Sequence, residues 1–292
     1  MEINNLVNGD TRVLALIGNP VNHSISPKLH NTISNFLGKN LVYVPFCVEK
    51  DNLKEAIEGL KALNVLGFNI TAPYKKEVMK YIDDNSRTSF LMGAVNTVKN
   101  IEGRLYGYNT DAEGFVRGAK LESDIDFKGK KVTILGAGGA ARAIAVKLAN
   151  LKVSELNIIN RSIENANSIQ SIINDNIQDI VKVYTYKDKE YEDVISKSNV
   201  VINATTLGMS SQINKSPIKN EKILKKNQYI YDIIYNPSET MFLKQAKNRG
   251  CETQNGLGML FYQAIASYEI WTGYKFSDNE VKDIYKTFMK II

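Results

Sequence analysis

A chain of 292 residues, 43% of them apolar, can bury a sizeable core and fits two domains better than one. Its formal charge of +6 comes from scattered lysines with no aromatic-basic recognition run among them, which argues against a nucleic-acid partner and leaves a bias towards small anionic ligands. No apolar run approaches the roughly 20 residues that span a bilayer, and Met1-Glu-Ile-Asn-Asn5 lacks a basic stretch followed by an apolar one, so a cytoplasmic protein with no membrane partner is expected. Cys47 and Cys251 stand far apart with no metal-ligand spacing and read as reduced core thiols; no metal site is expected, and monomer and homodimer fit equally.

The first half alternates strand and helix patterns: strands over 13–17, 43–48 and 66–71, helices over 27–37 and 53–63. Ser26 before Pro27 reads as a cap with proline in the first turn, and Gly38 as a stop. Polar clusters fall at the strand ends, where open α/β sheets bind ligands. Ser24 and Ser26 can converge with the N–H groups of a helix start on a carboxylate or phosphate, or one of them can simply cap. In Asn69-Ile-Thr71-Ala-Pro73-Tyr-Lys75 the lysine reads as lying on a first helical turn, where the helix dipole disfavours a cation. Strands over 94–98 and 104–108 read as a hairpin, and Thr110-Asp111-Ala112-Glu113 as a capping box opening a helix that runs through Ala119.

Near the middle, Gly136-Ala137-Gly138-Gly139-Ala140-Ala141-Arg142 follows the apolar run 132–135 and opens an alanine-rich helix. Glycine there allows a sharp turn and a close approach to a pyrophosphate, and the helix N-terminus supplies N–H donors, so the run reads as a dinucleotide turn. The next strand, over 155–159, ends in Asn160-Arg161-Ser162 rather than the acidic residue that takes the ribose hydroxyls of NAD; a guanidinium suits a 2′-phosphate, which leans towards NADP. Strands over 182–186, 200–204 and 229–234 continue a doubly wound pattern, and helices over 259–271 and 278–292 close the chain.

In chain order the runs GNPVNHSISPKLHN, NITAPYK, GAVNT, GYNTDAEG, GAGGAAR, INATTLGM, YDIIYNPSET and NGLGMLFYQA closely resemble the shikimate dehydrogenase family, over nearly the whole chain. The resemblance implies a two-domain α/β protein: an N-terminal α/β substrate domain, residues 1–111 with 257–292, and a Rossmann-like doubly wound NADP-binding domain over 112–256. It implies reversible reduction of 3-dehydroshikimate to shikimate by NADPH on the route to chorismate and aromatic amino acids. Ser24 and Ser26, with Thr71 and Tyr235, would hold the substrate carboxylate; Asn96, Asp111 and Gln263 would grip ring hydroxyls. Lys75 would be the catalytic lysine with Asp111 beside it. Gly136, Ala137, Gly138, Gly139 and Ala140 would cradle the pyrophosphate, Asn160, Arg161 and Ser162 would surround the 2′-phosphate, and Ile233 and Gly256 would line the nicotinamide pocket.

The same resemblance leaves His23 a loop residue and His30 a structural one, and it implies two domains that close on the substrate. Some NADP-specific members carry a second arginine where this chain has Asn165. A quinate/shikimate dehydrogenase that also uses NAD is the nearest alternative. A non-catalytic dinucleotide sensor would have no chemical reason to keep Lys75 and Asp111 together.

Overall fold

The computed structural model describes residues 7–292; residues 1–6, and with them the Met1–Asn5 leader reading, lie outside the described residues. Two compact units divide at Thr110/Asp111 and at Leu260/Phe261, so that the second unit, Asp111–Leu260, is inserted into the first.

The first unit begins with β1 (Arg12–Gly18), α1 (Ser26–Phe36), β2 (Leu41–Cys47), α2 (Leu53–Ala62), β3 (Gly67–Ile70), β4 (Asp84–Asn85), α3 (Arg87–Met92), β5 (Thr97–Ile101) and β6 (Arg104–Tyr108). Its sheet runs β2-β1-β3-β5-β6-β4, with β2, β1 and β3 parallel, β5 antiparallel to β3, and β5 and β6 paired as an antiparallel hairpin. Leu53, Ile57 and Leu60 recur along α2 at helical spacing and bury into a core with Ala15, Ile17, Phe68 and Val98. Each such aliphatic side chain contributes about 1.5–3 kcal/mol on burial.

The second unit holds α4 (Asp111–Ser123), β7 (Lys131–Leu135), α5 (Gly139–Asn150), β8 (Glu155–Asn160), α6 (Ile163–Asn176), β9 (Val181–Thr185), α7 (Tyr191–Lys197), β10 (Val200–Asn203), β11 (Tyr229–Asp232), α8 (Met241–Asn248) and β12 (Glu252–Gln254). Its all-parallel sheet, β12-β11-β10-β7-β8-β9, has the doubly wound order of a dinucleotide fold, with the reversal between β7 and β10. Ala141, Ile144, Ala145 and Leu148 line the buried face of α5, and the small residues let its backbone pack closely. The chain returns to the first unit through α9 (Leu257–Thr272) and ends with α10 (Asp278–Met289). No helix among the described residues is long and apolar enough to cross a membrane.

Several local expectations need correction. Ser26 is the first residue of α1, not its cap: the N-cap is Ile25, and the Ser24 hydroxyl accepts the Ser26 N–H at 3.2 Å. Gly38 does follow the helix end, in left-handed conformation at φ +61°. Residues 94–96 precede β5 rather than belonging to it, since the Val95 N–H is drawn to the Lys75 carbonyl at 2.8 Å. The helix after Thr110 runs on to Ser123, and α10 stops at Met289. Cys251 is buried, but Cys47 is exposed at the end of the edge strand β2, with its Sγ 3.5 Å from Asn19 Oδ1.

Candidate active site

In the first unit Ser24, Ser26, Thr71 and Lys75 follow the C-terminal ends of the parallel strands β1 and β3, while Asn96 precedes the antiparallel β5 and Gln263 lies on α9. Ser24 and Ser26, both partly buried, occupy the turn from β1 into α1. Thr71 follows β3; its N–H donates to the Ile17 carbonyl at 2.9 Å and its carbonyl accepts from Tyr74 at 3.0 Å. Lys75 lies in a turn before a short 3₁₀ helix, Glu77–Tyr81, not on the first turn of an α-helix. Pro73 blocks a helical start upstream, and the Tyr74 hydroxyl ties the turn to the Val48 carbonyl at 2.6 Å. Lys75 therefore meets no α-helix dipole that would disfavour a cation, and its backbone is fixed by the bond from the Val95 N–H.

Behind this turn sits a buried polar cluster. Asn96 Oδ1 accepts the Thr110 N–H at 2.7 Å and the Thr97 hydroxyl at 3.0 Å, and Asn96 Nδ2 donates to Thr110 Oγ1 at 3.0 Å. The hydroxyls of Thr97, Thr110 and Ser267 form a triangle with edges of 2.9–3.0 Å. Asn69 reaches Thr97 Oγ1 and the Asn96 carbonyl, and accepts from Tyr43. Gln263, one turn before Ser267 on α9, accepts from Thr110 at the outer limit of 3.5 Å. All of these groups are buried, so each has exchanged water for protein partners, and the cluster rigidifies Asn96 and Gln263 together.

The two histidines behave differently. His23 is exposed on its loop. His30 is buried, stacked on Tyr43 at 4.3 Å between ring centroids, with neither ring nitrogen hydrogen-bonded, and burial pushes its pKa from 6.5 down to about 3.

In the second unit, β7 is followed by Gly136, whose φ of +106° and whose close approach to Ala204 and Thr205 both need glycine: a β-carbon would meet Ala204 O and Thr205 Cγ2 at 3.0 Å. Gly138 caps α5 without a side chain, and a β-carbon at Gly138 or Gly139 would meet nothing within 4 Å. Both glycines are exposed at the start of a helix whose first N–H groups have no partner within the helix, which fits the diphosphate of a dinucleotide. Asn160 ends β8 and donates to the Ser162 carbonyl at 2.9 Å; Arg161 and Ser162 are exposed, with no acidic side chain in the Asn160–Ser162 turn. This donor set suits a phosphate on the ribose. Ile233 follows β11, and its carbonyl occupies the place a β-carbon on Gly256 would take. Tyr235, exposed on the next loop, and Asp111, the first residue of α4, belong to this second unit.

Two groupings form only in the fold. Thr97 and Thr110 stand in the polar runs GAVNT and GYNTDAEG, but Ser267 carries no signature of its own, and folding alone brings the three hydroxyls together. Asp232, fully buried at the end of β11, accepts from Thr240 Oγ1 at 2.6 Å, from Asn203 Nδ2 at 3.0 Å and from the Ile234 N–H at 3.1 Å. Burial outweighs these donors and pushes its carboxyl from 3.8 up to about 6. No group of three or more His, Cys, Asp or Glu side chains among the described residues is placed to hold a metal ion.

Three family models match in chain order: a shikimate dehydrogenase substrate binding domain over 16–98, a shikimate / quinate 5-dehydrogenase domain over 118–238, and a shikimate 5′-dehydrogenase C-terminal domain over 256–275. The chain is 44% identical over 282 residues to the shikimate dehydrogenase (NADP(+)) of Methanococcus vannielii, covering 95% of this chain and 97% of that one. Among solved structures, the shikimate 5-dehydrogenase of Listeria monocytogenes in complex with shikimate and NAD superposes with a TM-score of 0.90 at 36% identity, covering 96% of this chain and 98% of its own. A shikimate dehydrogenase in complex with NADP+ gives 0.88 at 38% identity, covering 99% of each chain. Parallel-sheet order, glycine turn, polar cluster and near-complete coverage agree: this chain belongs to the shikimate dehydrogenase family.

Proposed function

We propose that this protein catalyses the reversible, NADPH-dependent reduction of 3-dehydroshikimate to shikimate. The observation that carries the cofactor choice is the turn after β8, where the exposed guanidinium of Arg161 stands between Asn160 and Ser162 with no carboxylate to take ribose hydroxyls. When bound, NADPH supplies the hydride that reaches C3 of the substrate.

Ser24, Ser26, Thr71 and Tyr235 bind the substrate carboxylate through their hydroxyls. Asn96, Asp111 and Gln263 hold the ring hydroxyls and so orient the carbonyl carbon. Lys75 donates a proton from Nζ to the C3 oxygen as negative charge develops there, and its ammonium charge stabilises that oxygen beforehand. Asp111 lies beside Lys75 in this reading and orients its side chain towards the substrate oxygen. In the direction of shikimate oxidation the same Lys75, deprotonated, takes the hydroxyl proton back. Gly136 to Ala140 bind the pyrophosphate through backbone N–H groups, and Ile233 with Gly256 shapes the nicotinamide end. The setting is the cytoplasm, where the route to aromatic amino acids draws on reduced NADP. Purified protein oxidising shikimate with NADP, and losing that activity in Lys75→Ala, tests the reading; inactivity of the unaltered chain with shikimate contradicts it.

A further inference from the structure

Asp232 takes no part in the chemistry above, yet it joins two segments of the second unit. On one side its Oδ1 accepts from Asn203, the last residue of β10. Asn203 in turn accepts the Thr205 N–H at 3.0 Å and the Thr205 hydroxyl at 2.7 Å, and donates to the Leu207 carbonyl at 3.2 Å. Thr205 Oγ1 then accepts the Leu207 N–H at 3.1 Å, closing the loop on itself. This is the loop whose Ala204 and Thr205 back onto Gly136. On the other side Asp232 accepts the Ile234 N–H and the Thr240 hydroxyl, fixing the start of the loop that carries Ile233 and Tyr235. The Ile234 carbonyl accepts the Gly256 N–H at 3.1 Å.

We infer that Asp232 is a positioning residue for NADP: one buried carboxylate holds the backing of the pyrophosphate turn at Gly136 and the Ile233–Gly256 contact in register, and so sets cofactor affinity. The inference rests on the proposed function for the identity of the cofactor. An ionised carboxyl can serve all three donors at once, whereas an amide keeps the shape but turns one donor towards them. The chain thus keeps an acid at full burial, where a leucine or asparagine would cost less desolvation.

The test compares Asp232→Asn, Thr205→Val and Thr205→Ser with the unaltered full chain. NADP binding is titrated directly by fluorescence, KM is measured for NADP and for shikimate, and melting temperature is recorded. The NADP Kd and KM of Asp232→Asn should rise about tenfold, the scale of one charge-assisted hydrogen bond, while the shikimate KM stays within about twofold. Thr205→Val should shift NADP in the same direction, and Thr205→Ser, which keeps the hydroxyl, should restore it. A lowered melting temperature with unchanged NADP constants makes Asp232 a stability residue and overturns the inference. Should Asp232→Asn not fold, an unchanged NADP Kd in Thr205→Val overturns it alone. Binding of NADP without shikimate oxidation by the unaltered chain fails the proposed function only; absence of NADP binding fails both.

Discussion

Asn96 and Thr110 are joined through both backbone and side chain: the Thr110 N–H reaches Asn96 Oδ1 at 2.7 Å while Asn96 Nδ2 reaches Thr110 Oγ1 at 3.0 Å. The pair fixes the amide of Asn96 in one orientation, and the Thr97 and Ser267 hydroxyls complete the set. Replacing the hydroxyl by a methyl leaves buried polar partners unmatched. Thr110→Val should therefore cost about 1–3 kcal/mol of stability and raise the shikimate KM while leaving the NADP KM alone. Urea unfolding and steady-state kinetics check the two halves separately.

Lys75 is the residue on which the chemical step depends in the proposed mechanism. Lys75→Ala should lower kcat by roughly 10² to 10⁴, with a smaller change in shikimate KM. A larger loss in affinity than in turnover would reduce Lys75 to a binding residue.

Arg161 should separate the two nicotinamide cofactors. Arg161→Ala is expected to raise the KM for NADP by roughly 10-fold to 100-fold, the loss of a charged hydrogen bond to phosphate, and to leave the KM for NAD nearly unchanged. Paired assays with both cofactors read this directly.

His30 ties stability to pH. Its native pKa is depressed from 6.5 to about 3, so between those values the unfolded chain takes up a proton that the native one refuses. Stability contributed by the neutral ring is intact above about pH 6.5 and falls as the pH drops towards 3. Asp232, raised from 3.8 to about 6, acts in the opposite sense, binding its proton first in the native state and favouring it as the pH falls through 6 to 3.8. His30→Phe keeps a ring against Tyr43 and removes the first effect. Relative to the unaltered chain it should gain about 2 kcal/mol between pH 7 and pH 5, measured by urea unfolding. Parallel pH profiles for the two proteins would show that His30 does not carry this linkage.

Much of this architecture is written locally. The Gly136 turn is legible because a buried strand, glycine at the bend and an alanine-rich helix each leave their own pattern within a few residues. Capping shows the limit of such reading. Thr110-Asp-Ala-Glu113 and Ser277-Asp-Asn-Glu280 have the same spacing, and the second forms a capping box. At the first, nothing in the sequence signals that the Thr110 hydroxyl bonds with Asn96, Thr97 and Ser267, the last 157 residues away, or that Glu113 pairs with Arg117 and Lys147. Asp232 was invisible for the same reason, since its partner Asn203 arrives only when β10 and β11 pair. Cys47 reads as a core thiol by residue type, and only its place on the edge strand exposes it.

The most direct test is the rate of nicotinamide reduction by the purified protein with shikimate and quinate, each paired with NADP and NAD. Strong activity with shikimate and NADP, and little with the other three pairs, is the expected result for an NADP-dependent shikimate dehydrogenase. Comparable rates with quinate or with NAD would contradict it.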